Sequence, residues 1–503
     1  MTHLQTRRSP RDLLPKIDRL FALSARKIRA IEETWRPKDG APVFTTQGRY
    51  QARGWTEWTQ GFQFGSALLQ FDATGDLDFL ELGRSRTVER MAPHLTHMGV
   101  HDHGFNIVST YGNLWRLTRE ERIAASDWER RFYEMALKVS GAVQARRWTR
   151  LPGGGFIHSF NGAHSLFVDT IRSLRALALG HLLGQPLMEE QDEHVGLLDR
   201  LVQHARATSQ FNIYHGRGRD RFDVRGRTAH ESLFNIVNGT YRGPSTQQGY
   251  SPFTTWTRGL AWAMLGFAEQ LEFLELMPDA DLERGGGRED VQSFMLNAAR
   301  ATCDHYIDIA AADGVPYWDA GAPGLAALEG WRDRAADPFN DHEPVDSSAA
   351  AIAAQGLLRL AQVIRKLPGE ERGTQSARSS QSEYVAASAF DVNEADRYEQ
   401  AGLQVLDTLF DEPYLSVEAD HQGLLLHSVY HWPNGWDYVP AGARTPRGES
   451  SQWGDYHARE AALYAKRLAE GKPYLAFFGP QDGSGAQAGS GVAQALRPAN
   501  RDD

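Results

Sequence analysis

Apolar residues recur at helical spacing along most of the chain, and the stretches that break the pattern are short, polar or rich in glycine. Between Asp12 and Trp35, Leu13, Leu14, Ile17, Leu20, Phe21, Ile28 and Ile31 fall on one helical stripe. Pro15 is tolerated there because it sits in the first turn after an Asp12 cap. The same spacing predicts helices from Trp55 to Phe71, Leu77 to Met91, Gly104 to Leu117, Trp128 to Val143, His164 to Leu183 and Met188 to Ala207. It predicts five more from Thr254 to Leu276, Asp290 to Ala311, Asp346 to Arg365, Glu394 to Phe410 and Gln452 to Ala469, about twelve in all. These helices are of two kinds. Asp12 to Trp35 and Trp128 to Val143 carry one apolar stripe and one charged face, whereas Trp256 to Leu274 and Ala349 to Leu360 are apolar or small nearly all round. Helices with one wet face alternating with helices covered on every side make two concentric rings, so the expected fold is all-α, an (α/α)6 barrel. Phe211 to Tyr214 and Phe234 to Val237 are expected as short strands in rim hairpins.

One catalytic domain is expected over residues 1–470, with Gly369 to Ala389, rich in Ser, Gln, Arg and Glu, as a surface insertion. Residues 471–503 are expected as a flexible tail, since Gln481 to Asp503 is Gly, Ala and polar. The single cysteine, Cys303, excludes an internal disulfide framework. Met1 to Arg11 lacks the apolar stretch of a signal peptide and no segment approaches the length of a membrane span, so a cytoplasmic location and no membrane partner are expected. A net charge of −10 over 503 residues disfavours nucleic acid as a partner. The 13 tryptophans offer flat apolar faces of the kind on which sugar rings stack, beside their ordinary use in cores.

The chain has no phosphate-cradling loop ending in Lys-Ser/Thr, no Gly-x-Ser-x-Gly elbow and no cysteine pair for zinc. What remains is carboxylates among aromatics, the equipment of enzymes that protonate and hydrate sugars. The densest polar cluster is His94, His97, His101, Asp102 and His103, followed by Gly104-Phe105-Asn106. Its histidine spacings are compatible with metal ligation, but a loop feeding a helix is the better picture, and no metal is expected. Asp102 then precedes a helix N-terminus, either as a plain cap or as an ionised functional carboxylate. Asp169 lies in the apolar run Leu166-Phe167-Val168-Asp169-Thr170-Ile171 and is expected early in a buried helix. Either it is paired with an arginine or amide, or burial raises its pKa and makes it a general acid. Arg258 and Trp262 share a helix face on an apolar helix, and a buried guanidinium there wants an anion: a substrate carboxylate, or an acid such as Asp169. Arg217, Arg219, Arg221, Arg225 and Arg227 make a basic loop ahead of His230.

In order along the chain, Trp58-Thr59-Gln60-Gly61-Phe62, His101-Asp102-His103-Gly104-Phe105, Phe167-Val168-Asp169-Thr170, Gln248-Gly249-Tyr250, Trp256-Thr257-Arg258-Gly259-Leu260-Ala261-Trp262 and Asp346-Ser347-Ser348-Ala349-Ala350 form a pattern. It resembles the unsaturated glucuronyl hydrolases of glycoside hydrolase family 88, over roughly Gln51 to Leu468. The resemblance implies an (α/α)6 barrel that hydrates the C4=C5 vinyl ether of the 4,5-unsaturated uronic acid left by polysaccharide lyases, with an unsaturated uronate-terminated oligosaccharide as partner and no cofactor. It implies that Asp169 is the general acid and base, that Asp102 is a second essential carboxylate, and that Trp58, Phe62, His230, Gln248, Arg258 and Trp262 shape the sugar subsite. Arg258 is expected to face the uronate carboxylate. Two departures stand out: Gln247 where the family often has His, and His103 where an aliphatic residue is usual. The loop His431 to Trp436 has aromatics and no cationic cluster, which points to an unsulfated or lightly sulfated neighbouring sugar. An unsaturated galacturonyl-rhamnose hydrolase, a sugar epimerase and a non-catalytic binder of acidic oligosaccharides stand as the alternatives. A monomer or homodimer is expected.

Overall fold

The computed structural model describes residues 7–54, 57–367 and 387–480. Twelve principal helical runs carry the fold among these residues. The first six are α1 (Leu14–Thr34), α2 (Gln60–Thr74), α3 (Leu77–Arg90), α4 (His103–Ile107, Val108–Gly112 and Asn113–Arg119, end to end), α5 (Asp127–Arg146) and α6 (Thr170–Ser173 running into Arg175–Leu182). The second six are α7 (Leu197–Phe211), α8 (Thr257–Leu274), α9 (Arg288–Ile309), α10 (Ser347–Lys366), α11 (Ala387–Leu409) and α12 (Gln452–Glu470).

The even-numbered helices pack in a closed ring, each against the next and α12 back onto α2, while the odd-numbered helices lean on them from outside. This is the (α/α)6 barrel. The division follows from the side chains: all of α8 is buried, and α10 is buried from Ser347 to Ala361, whereas α1 and α5 bury one stripe each. α10 is also long and apolar enough to cross a membrane by composition, contrary to the sequence expectation, yet it is almost wholly buried inside the barrel. Gly104 sets the close crossing of α4 and α6. A Cβ there would collide with the Ser173 backbone, and in its absence the Gly104 N–H donates to Ser173 Oγ at 2.9 Å.

Small antiparallel ladders sit between the helices. They are β1 (Phe44–Thr46) with β2 (Arg49–Gln51), β3 (Trp148–Leu151) with β4 (Gly154–Ile157), and β6 (Leu187–Met188) with β7 (His194–Val195). A three-stranded sheet has the order β5 (Ser165–Phe167), β8 (Glu231–Phe234), β9 (Tyr241–Ser245). Three sequence expectations are corrected here. The expected strand from Phe211 to Tyr214 is the end of α7 and one isolated bridge, Ile213 to Thr228. The expected strand from Phe234 to Val237 lies earlier, at Glu231–Phe234. The expected helix from His164 opens instead as β5, because Leu166-Phe167-Val168 is apolar enough for either period and pairs with β8. Part of the expected tail is also packed: Leu475, Ala476, Phe477 and Phe478 are buried, and Arg119 Nη1 donates to the Phe478 carbonyl at 2.7 Å. Residues 481–503, and the insertion apart from 387–389 at the start of α11, lie outside the described residues.

Candidate active site

The inner helices bring their N-termini to one end of the barrel. Trp58 precedes α2, Asp102 and Asp169 are the N-cap residues of α4 and α6, Trp256 is that of α8, and Asp346 is that of α10. Trp453, in the first turn of α12, stacks on Trp58 at 5.2 Å between centroids. Converging N-termini favour negative charge, so this end suits an anionic ligand. It holds a cavity of about 660 Å³ lined by Trp58, His101, Asp102, Asp169, Gln247, Gln248, Arg258 and Trp262, with Arg53, Phe160, Asn161, Tyr430, His431, Asn434 and Trp436 among the others.

Neither Asp102 nor Asp169 uses its carboxylate to cap its helix. Both turn to His101 instead: Nε2 lies 3.1 Å from Asp169 Oδ1 and 3.7 Å from Asp102 Oδ1. The imidazole is buried, edge-on to Phe167, and its own carbonyl is held by Gln144 Nε2 and Ser173 Oγ. Burial raises the Asp102 pKa to about 6, with the Asp169 charge adding to it and His101 opposing. Burial also pushes Asp169 upward, but the hydrogen bond and charge of His101 outweigh it and the carboxyl ends below its ordinary value. This reverses the expectation that Asp169 is the raised group. His101 itself is raised, since its two carboxylates outweigh its burial.

The remaining predicted residues divide. Trp58, Gln248, Arg258 and Trp262 line the cavity, whereas Phe62 and His230 do not. Phe62 is fully buried behind Trp58, against Phe105, Tyr456 and His457. His230 is buried between Phe167 and Trp256, and its Nδ1 accepts from the Gln247 N–H at 3.2 Å. Arg258 is paired within the protein: with Asp346 Oδ2 at 2.9 Å, Gln248 Oε1 at 2.7 Å, and the Tyr430 and Val429 carbonyls. Its partner is therefore Asp346, not Asp169, and the guanidinium ties Gln248 and the 429–431 segment to α10. The other histidines are engaged elsewhere, His103 with Ser140 Oγ and the His97 carbonyl, and His94 with Asn106. Among the described residues no three His, Cys, Asp or Glu side chains gather as a metal-ligand set.

No family model matches the chain. An unsaturated glucuronyl hydrolase of Bacillus sp. (strain GL1) is 26% identical, covering 83% of this chain and 89% of its own. The crystal structure of unsaturated glucuronyl hydrolase from Bacillus sp. GL1 superposes with a TM-score of 0.64 at 22% identity, over 91% of this chain and 98% of that one. The chain is similar in sequence and in fold to unsaturated glucuronyl hydrolases. An unsaturated chondroitin disaccharide hydrolase of Streptococcus pyogenes serotype M1 is also similar, 22% identical over 83% of this chain and 84% of its own. The glucuronyl-hydrolase resemblance read from the motifs is thus met independently in sequence and in fold.

Several cavity residues escaped the sequence reading. Arg53, Asn161 and Tyr430 belong to no motif and reach the cavity from a hairpin, a turn and a loop. His101 was visible as one of four clustered histidines and as the first residue of a motif, but nothing local marked it as the one between the carboxylates. The loop His431 to Trp436 was recognised, and His431, Asn434 and Trp436 do line the mouth.

Proposed function

We propose that the chain is a glycosidase that removes a 4,5-unsaturated uronic acid from the non-reducing end of an oligosaccharide by hydrating its C4=C5 double bond. The observation that carries this reading is the pair of buried carboxylates, Asp102 and Asp169, meeting one imidazole nitrogen at 3.7 and 3.1 Å in an aromatic-walled cavity. The cavity volume suits a small ligand, the indoles of Trp58 and Trp262 suit sugar faces, and the helix N-termini suit a uronate. The relatives found are uronyl and chondroitin-disaccharide hydrolases rather than epimerases or binding proteins.

In this reading a proton passes to C4 and a water oxygen bonds to C5. The enol ether becomes a hemiketal, which opens to a C5 ketone and frees the neighbouring sugar from C1. Asp169 delivers the proton and takes one back from the attacking water. His101, at 3.1 Å, supplies and stores that proton, which keeps the ionised Asp169 competent as an acid. Asp102, protonated up to about pH 6, holds sugar hydroxyls. Positioning and proton transfer suffice for an activated enol ether. The test is product analysis after incubation with lyase-generated disaccharides in D2O. One deuterium at C4, one added water and a free partner sugar are expected; release of an intact unsaturated uronate would sink the hydration step.

A further inference from the structure

The cavity does not end at its aromatic mouth. Arg53 lines it and also lines a second, shallower cavity of about 490 Å³ formed by Thr46, Gln47, Arg49, Gln51 and Ala52. Strand alternation explains this surface: Tyr50 is buried while Arg49 and Gln51 stand exposed on the opposite face of β2, and Arg53 continues that face toward the mouth. Arg53 Nη2 donates to the Trp436 carbonyl at 3.0 Å, which ties the guanidinium to the 431–436 loop, where Trp436 is 38% exposed. A guanidinium, an amide and a second guanidinium thus lead outward from the pocket, on a chain whose net charge is −10. Four residues of extended backbone, at most about 13 Å, separate Arg49 from Arg53, a spacing that can meet successive groups of an extended chain.

We propose that this face of β2 binds the sugars beyond the one removed, Arg53 meeting the sugar next to the cleaved bond and Arg49 an anionic group, carboxylate or sulfate, further along. The proposal rests on the uronyl-hydrolase reading. It adds cations outside the 431–436 loop, on which alone the expectation of an unsulfated or lightly sulfated neighbouring sugar rested.

The readout is the ratio of kcat/KM for an unsaturated tetrasaccharide to that for the disaccharide of the same repeat. It is measured for wild type, Arg49→Ala and Arg49→Lys, with an unsulfated and a sulfated pair. Wild type should favour the tetrasaccharide, Arg49→Ala should cut the ratio about fivefold through KM, and Arg49→Lys should keep most of it. About 0.5 M salt should erase the difference. A larger loss with the sulfated pair assigns the anion to sulfate, and an equal loss assigns it to carboxylate. A ratio unmoved by Arg49→Ala in both pairs overturns the proposal. If no substrate is consumed by wild type, the hydrolase reading has failed, and calorimetric titration with the intact tetrasaccharides decides the surface separately. Binding weakened by Arg49→Ala then upholds it, and equal or absent binding overturns it.

Discussion

Two of the buried charge clusters among the inner helices are built differently. Deep in the ring, Arg172 Nε meets Glu269 Oε2 and its Nη2 meets Glu460 Oε2, both at 2.7 Å, and Arg359 Nη1 meets Glu272 Oε2 at 2.7 Å. At the N-terminal end, Asp102 and Asp169 share His101. Burial pushes Glu269 and Glu272 up to about 7, beyond Asp102, so a displaced pKa by itself does not separate the two clusters. The partner and the opening do. A guanidinium stays charged and holds its carboxylate in place, whereas an imidazole gives and takes protons near neutral pH. Only the second cluster lines the large cavity. The first is architecture, and the second is equipped for chemistry.

Substitutions can break or sharpen this contrast. Asp169→Asn should lower kcat/KM on unsaturated disaccharides by about a thousandfold or more, roughly 4 kcal/mol of barrier, with the thermal midpoint little changed. Arg172→Met should do the reverse. It leaves Glu269 and Glu460 with only the more distant Arg175, at 3.7 and 3.9 Å, so urea unfolding should show a loss of about 3 kcal/mol, while turnover per folded molecule persists.

The pH dependence of stability should differ in sign between the two site carboxyls. Asp102 is raised from 3.8 to about 6, so the native state holds the extra proton between those values. Its contribution therefore falls as pH rises from about 4 to 6, by roughly 3 kcal/mol, and Asp102→Asn should remove that slope from urea titrations. Asp169 is lowered, so its contribution is present above the ordinary carboxyl value and is lost as pH falls through its depressed one. Smallest of all, Phe62→Leu should cost about 1 kcal/mol of stability and move KM less than about threefold, because Phe62 supports the wall from behind.

The barrel was legible because helical periodicity and the contrast between one-sided and all-round apolar helices are local properties of sequence. Both aspartates were legible too, Asp169 as a carboxylate in an apolar run and Asp102 as one ahead of a helix N-terminus. The misreadings come from long-range partners. His101 lies 68 residues from Asp169, and no local pattern says that an imidazole reverses the effect of burial there. Asp346 lies 88 residues from Arg258 and claims a guanidinium that seemed reserved for substrate. Arg53 was invisible as one arginine on a short hairpin, and Leu475 to Phe478 are too few residues for periodicity to register their packing.

The most direct measurement is the loss of the conjugated uronate's ultraviolet absorbance with lyase-generated unsaturated disaccharides, for wild type, Asp169→Asn and Arg172→Met side by side below the melting point of each. Wild type and Arg172→Met should bleach the substrate, and Asp169→Asn should leave it intact. Bleaching by Asp169→Asn at the wild-type rate would contradict it.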